Sequence, residues 1–133
     1  MDIEKIINDY EEEILADTTL DELNVKEKAA RAIIIRQKWI QRLNTTRWRL
    51  RLAEEKKQEI MDDKIQFANL PVGLTSNIKK NKLMENSPEI KEINDTIAEY
   101  THIVIYLEDT CKNISQFGWD IKNYVELIKM ENI

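Results

Sequence analysis

Residues 88–131, PEIKEINDTIAEYTHIVIYLEDTCKNISQFGWDIKNYVELIKME, decide the fold. Ile90, Ile93, Ile97, Tyr100, Val104, Leu107, Cys111, Ile114, Gly118, Ile121, Val125 and Ile128 follow a 3-4-3-4 spacing, apolar at every position but Gly118. That spacing keeps one side chain per turn on a single stripe of a helix, and sustained over this length it is a packing seam that wants a partner helix. Ser87-Pro88-Glu89 supplies the start: serine as cap, proline at the first helical position, glutamate at the positive end of the dipole. Ile103, Ile105, Tyr106, Phe117, Trp119, Tyr124 and Leu127 lie off the seam, so the helix carries more apolar surface than one neighbour covers. A second helix folded back as an antiparallel hairpin would cover the seam alone. Self-association is the simplest way to cover the surplus as well.

Upstream, Ile3, Ile6, Ile7, Tyr10 and Ile14 recur at three- and four-residue intervals among acids and predict an amphipathic first helix over 1–17. Thr19 and Glu22 have the spacing of a capping box, which places the start of a second helix near residue 20. No proline or glycine follows until Pro71, so this helix is expected to run over 20–67, with Asn44-Thr45-Thr46 as the most favourable place for a bend. Asn69-Leu70-Pro71-Val72-Gly73 stops it, and 69–87 reads as a polar, flexible connection to the last helix over 88–130. With 133 residues, two glycines and two prolines, the expectation is one all-α domain, 1–133, built as a hairpin or bundle of long helices that assembles with copies of itself.

Charge is strongly segregated in this chain. Residues 26–51 hold nine Lys/Arg and a single acid, Glu27, inside a chain of net charge −5. A solvated surface normally mixes its signs. Here Arg31, Arg36, Lys38, Arg42, Arg47, Arg49 and Arg51 succeed one another without an acid, with Trp39 and Trp48 between them. Basic groups with interleaved aromatics suit an anionic polymer with stacking bases. At about 100° per residue, Arg31, Lys38, Arg42 and Arg49 form one stripe, with Lys28 and Lys56 beside it and Ile33, Ile40, Leu43 and Leu50 on a separate face. The competing reading is that the acidic first and last helices neutralise the basic one internally. Trp39 lies toward the apolar face and reads as core; Trp48, with Ala30, Ile34 and Leu52, is the better candidate for an interface or for base stacking.

No catalytic constellation emerges, and no enzyme activity is expected. His102 and Cys111 are the only histidine and cysteine, too few for a zinc motif or a disulfide, and Gly73 and Gly118 cannot make a phosphate-binding loop. No cofactor is implied. Without a basic start, a leader-like apolar run or a membrane-length segment, the chain is expected to be soluble and intracellular.

Asp95-Thr96-Ile97-Ala98-Glu99-Tyr100, the helix through Cys111 and Ile114, and Phe117-Gly118-Trp119-Asp120-Ile121-Lys122 resemble the C-terminal half of the UvsY family of T-even phage recombination mediators. Lys38-Trp39-Ile40, after the Ala29-Ala30 pair, matches too, as does the order of acidic start, basic middle and long last helix. The resemblance implies a helical protein that forms a ring, a hexamer or heptamer, and binds single-stranded DNA. It further implies that the protein helps a RecA-like phage recombinase replace the phage single-strand-binding protein in the cytoplasm of the infected bacterial host. The family's DNA-linked pair is a lysine followed two residues later by an arginine; here Asp62 stands at the first position and Lys64 at the second. Arg31, Lys38, Arg42 and Arg49 are therefore the main DNA-binding candidates, with Lys64, Lys79, Lys80 and Lys82. Ile97, Tyr100, Val104, Leu107, Cys111, Ile114, Ile121 and Val125 are the candidates for self-assembly. The alternative is a helical protein-binding adaptor or assembly factor without direct DNA binding.

Overall fold

A computed structural model describes residues 1–67 and 87–132. Among the described residues the secondary structure is entirely helical: α1 (Ile3–Thr18), α2 (Val25–Phe67), α3 (Pro88–Ser115) and α4 (Phe117–Glu131). The chain divides into two compact units, 1–45 with 103–133, and 46–102. In the first unit the early part of α2 groups with the late part of α3, and in the second the late part of α2 groups with the early part of α3.

Asp2 caps α1, its carboxylate accepting from Lys5 N–H at 3.1 Å. The capping box before α2 forms two residues later than the Thr19/Glu22 spacing suggested. Asp21 Oδ1 accepts from Asn24 N–H at 2.8 Å, and Asn24 Oδ1 accepts from Asp21 N–H at 2.9 Å. The Thr19 hydroxyl donates instead to Leu15 O at 2.5 Å and belongs to the end of α1. A carboxylate with a reciprocal amide at the third position satisfies the same free donors in the turn that leads into α2 at Val25. Asn44-Thr45-Thr46 does not interrupt α2, although the boundary between the two units falls at Thr45/Thr46.

The last helix is two helices. Ser115 Oγ donates to Lys112 O at 2.6 Å and Gln116 N–H to Asn113 O at 3.1 Å, so the ladder tightens to three-residue spacing before α4 begins. The buried stripe runs through the break as Ile103, Leu107, Thr110, Ile114, Phe117 and Ile121, one residue off the predicted seam at 103, 110 and 117. Phe117, off the predicted seam, is 2% exposed, whereas Gly118, on it, is exposed with no atom within 4 Å of where a Cβ would stand. Ser87 sits at the cap position of α3 and its carbonyl accepts from Lys91 N–H at 3.0 Å, but its hydroxyl makes no capping bond.

In the first unit the core holds Ile35, Trp39 and Leu43 of α2, Ile103, Val104, Leu107 and Ile114 of α3, and Phe117 and Ile121 of α4; Trp39 and Leu107 are fully buried. α1 contributes no buried residue of its own and covers this core from outside. In the second unit Ala53, Ile90 and Ile93 form a smaller cluster, with Ile60, Met61, Ile97 and Tyr100 packed on it.

Candidate nucleic-acid interface

α1 meets the basic helix through its carboxylates. Glu13 and Asp17 lie one turn apart on α1, as Lys38 and Arg42 do on α2, so two acids face two bases. Arg42 Nη2 donates to Glu13 Oε1 at 3.0 Å, and Nη1 donates to Oε2 of the same carboxylate, a two-point pair. Lys38 Nζ donates to Asp17 Oδ2 at 2.6 Å and to Glu13 Oε1 at 3.1 Å. Trp39 Nε1–H also donates to Asp17 Oδ2, at 3.0 Å, which satisfies the one polar atom of a fully buried ring. The Arg42 guanidinium lies 4.7 Å from the Trp39 ring centre and 5.3 Å from that of Tyr10. Tyr10 in turn meets Trp39 edge-on at 5.5 Å and stacks with Tyr106 at 6.3 Å. The Arg42 hydrogen bond holds the Glu13 carboxyl below the usual glutamate range, and the same bond raises the Arg42 guanidinium.

The predicted stripe is therefore divided. Lys38 and Arg42, its central pair, carry out the internal neutralisation that the charge pattern left open. Lys28 Nζ donates to Ala16 O at 2.6 Å, at the negative end of the α1 dipole. Arg31 is exposed and pairs with Glu27 one turn back at 3.5 Å, a contact of little energetic weight at such exposure. In the second unit Arg49 and Lys56 are exposed and make no ion pair among the described residues. They line a groove of about 550 Å³ whose floor is Leu52, Ala53, Ile60 and Ile93, and whose opposite wall carries Glu89 and Glu92. Arg36 and Arg51 are exposed, and Trp48 is 52% exposed. Lys64 is half-buried in the last turn of α2. Lys79, Lys80 and Lys82 lie outside the described residues.

The candidate assembly residues serve the fold of a single chain. Val104, Leu107, Ile114 and Ile121 are buried within it, and Ile97, Tyr100, Cys111 and Val125 are half-buried. Within the single chain, these side chains pack against its own helices, the hairpin partner that the spacing allowed. Of the apolar residues off the seam, Ile103 and Phe117 are buried, Tyr106 and Tyr124 half-buried, and Ile105, Trp119 and Leu127 more than half exposed, as are Ile33 and Ile34 of α2. Sequence reasoning did not pick out Glu13, Asp17 and Tyr10. Their signal was the acid pair at i and i+4 on α1, matched to the Lys38/Arg42 spacing. Among the described residues no group of His, Cys, Asp and Glu could hold a metal, and no helix is long and apolar enough to cross a membrane.

An all-helical protein with an acidic first helix laid on a long basic second helix is the class that these observations define. The model of the family described as "Recombination, repair and ssDNA binding protein UvsY" matches residues 13–132, and the chain belongs to that family. In fold it is similar to the crystal structure of the bacteriophage T4 recombination mediator protein UvsY, with a TM-score of 0.78. That match covers 94% of this chain and 98% of the other at 14% sequence identity, so the likeness speaks to the fold alone. No curated protein matches the chain.

Proposed function

We propose that the protein is a recombination mediator. It binds single-stranded DNA and promotes loading of a RecA-like recombinase in place of single-strand-binding protein, during phage recombination and repair in the host cytoplasm. The observation that carries this reading is the run from Lys28 to Ala53, which holds eight Lys/Arg and no acid on one helix of a family member. Each copy is acidic overall, so a concentrated basic segment is what allows a polyanion to approach. Assembly into a ring of six or seven copies would repeat that segment, and repetition makes weak phosphate contacts collectively tight. With the seam buried inside one chain, assembly falls to the exposed apolar side chains Ile33, Ile34, Ile105, Trp119 and Leu127. A strand bent along several basic segments would loosen its resident binding protein and offer the recombinase a place to nucleate.

The second reading, an adaptor that binds only proteins, is favoured by one observation: Lys38 and Arg42 already face Glu13 and Asp17. Titration of a labelled single-stranded oligonucleotide at low and moderate salt, with a light-scattering mass on the same sample, separates the two. A mediator binds tightly, as an oligomer, with affinity falling steeply as salt rises; absence of binding at low salt leaves the adaptor.

A further inference from the structure

Two tryptophans nine residues apart on α2 have opposite fates. Trp39 is fully buried with its N–H bonded to Asp17, while Trp48 is 52% exposed. Leu52, one turn beyond Trp48, is 42% exposed and continues the same apolar strip. Arginines surround this strip. Arg47 and Arg49 are its immediate neighbours in sequence and Arg51 stands one turn on, about 60° around the helix, all three exposed. Of the acids on α2, the nearest on this face is Glu55, about 10 Å further along the axis, and Glu89 and Glu92 of α3 share the groove that Arg49 and Leu52 line. The core of a protein interface is depleted of charge, so an exposed aromatic with arginines on both sides of it in sequence is a poor seat for another helix. It suits a polyanion that also presents ring faces, since bases stack on aromatics whatever their identity while phosphates take the cations.

We propose that Trp48 is a base-stacking platform for single-stranded DNA, with Arg51 and Arg49 holding phosphates on either side of the stacked base. This rests on the mediator reading and adds to it a contact with the bases themselves, which phosphate binding alone does not supply.

The test compares wild type, Trp48→Ala, Trp48→Phe and Arg51→Ala on two end-labelled polymers of equal length: oligo(dT) and an abasic sugar-phosphate oligomer. Trp48→Ala is expected to lose roughly tenfold or more in oligo(dT) affinity with an unchanged salt slope. Trp48→Phe should stay close to wild type, and the abasic oligomer should bind wild type and Trp48→Ala alike. Arg51→Ala should weaken both polymers and flatten the slope. Because Trp48 is exposed, melting curves should show each variant folded. If wild type binds oligo(dT) but Trp48→Ala binds it equally well, the stacking role is overturned and the mediator reading stands. A fall in particle mass for Trp48→Ala would make the residue a contact between copies, which also overturns the proposal. Failure of wild type to bind either polymer at low salt overturns both.

Discussion

Glu13 on α1 and Arg42 on α2, 29 residues apart in sequence, are joined by two parallel hydrogen bonds over the face of Trp39. Both side chains are about a third exposed, so water screens the pair and its weight stays modest. α1 buries no side chain completely; its half-buried apolar stripe, with Tyr10 against Trp39, is joined by this pair and the Lys38–Asp17 contact. Glu13→Gln is expected to destabilise the protein by about 1–2 kcal/mol. The sign with pH follows from the lowered Glu13 carboxyl. Its stabilisation is fully present above the ordinary glutamate value of about 4.3 and is lost as pH falls through the depressed folded value. Urea unfolding between pH 3 and pH 7, on the order of the range these values set, should show a steeper acid limb for wild type than for Glu13→Gln.

The same carboxylates occupy the cations that the stripe would offer to DNA. On the mediator reading, Glu13→Gln with Asp17→Asn releases Lys38 and Arg42 and should raise single-stranded DNA affinity. Each newly available phosphate contact steepens the salt slope by about 0.7, so two give about 1.4. An unchanged slope in fluorescence anisotropy titrations would mean that α1 and DNA do not compete for these side chains.

Fold class and helix order were legible because apolar spacing survives in the sequence whatever it packs against. Three details were not legible. The capping box moved from Thr19/Glu22 to Asp21/Asn24 because both threonine and aspartate can cap, and only the end of α1, which takes up Thr19, decides between them. The destination of the charges was hidden for a similar reason. Periodicity places Lys38 and Arg42 on one face of α2 but does not say that α1 returns with Glu13 and Asp17 opposite them. Trp39 was readable as core because it lies beside the apolar face, whereas Ile103 was not, being off the 3-4 seam yet 4% exposed.

Leu107 has no exposed surface, so a polar substitution there should unfold the chain rather than release folded monomers from an assembly. Leu107→Asn is expected to cost at least about 3 kcal/mol, combining lost burial with an unsatisfied amide. Circular dichroism should show helix loss in step with any change in mass. By contrast Ile105→Glu, on a side chain 56% exposed, should keep its helix content, and a fall in particle mass would place the contact between copies on that face.

The phase of the seam across the α3/α4 break can be tested at two adjacent residues. The heptad phase read from the sequence would bury residue 118 and expose residue 117; the structure does the reverse, carrying the buried 107-110-114 spacing on through 117 and 121. Phe117→Ala removes a ring that is 2% exposed and should destabilise by about 3–5 kcal/mol. Gly118→Ala adds a methyl group where nothing lies within 4 Å, in the first turn of a helix that gains from replacing glycine. It should be neutral or stabilise by up to about 1 kcal/mol. Thermal melts of the two variants separate the alternatives, because the predicted phase would make Gly118→Ala an overpacked core position and leave Phe117→Ala nearly silent. If Gly118→Ala instead leaves the melt of dilute protein unchanged but weakens assembly at higher concentration, the open space beside Gly118 is filled by another copy. Sedimentation of that variant over a range of concentrations makes the distinction.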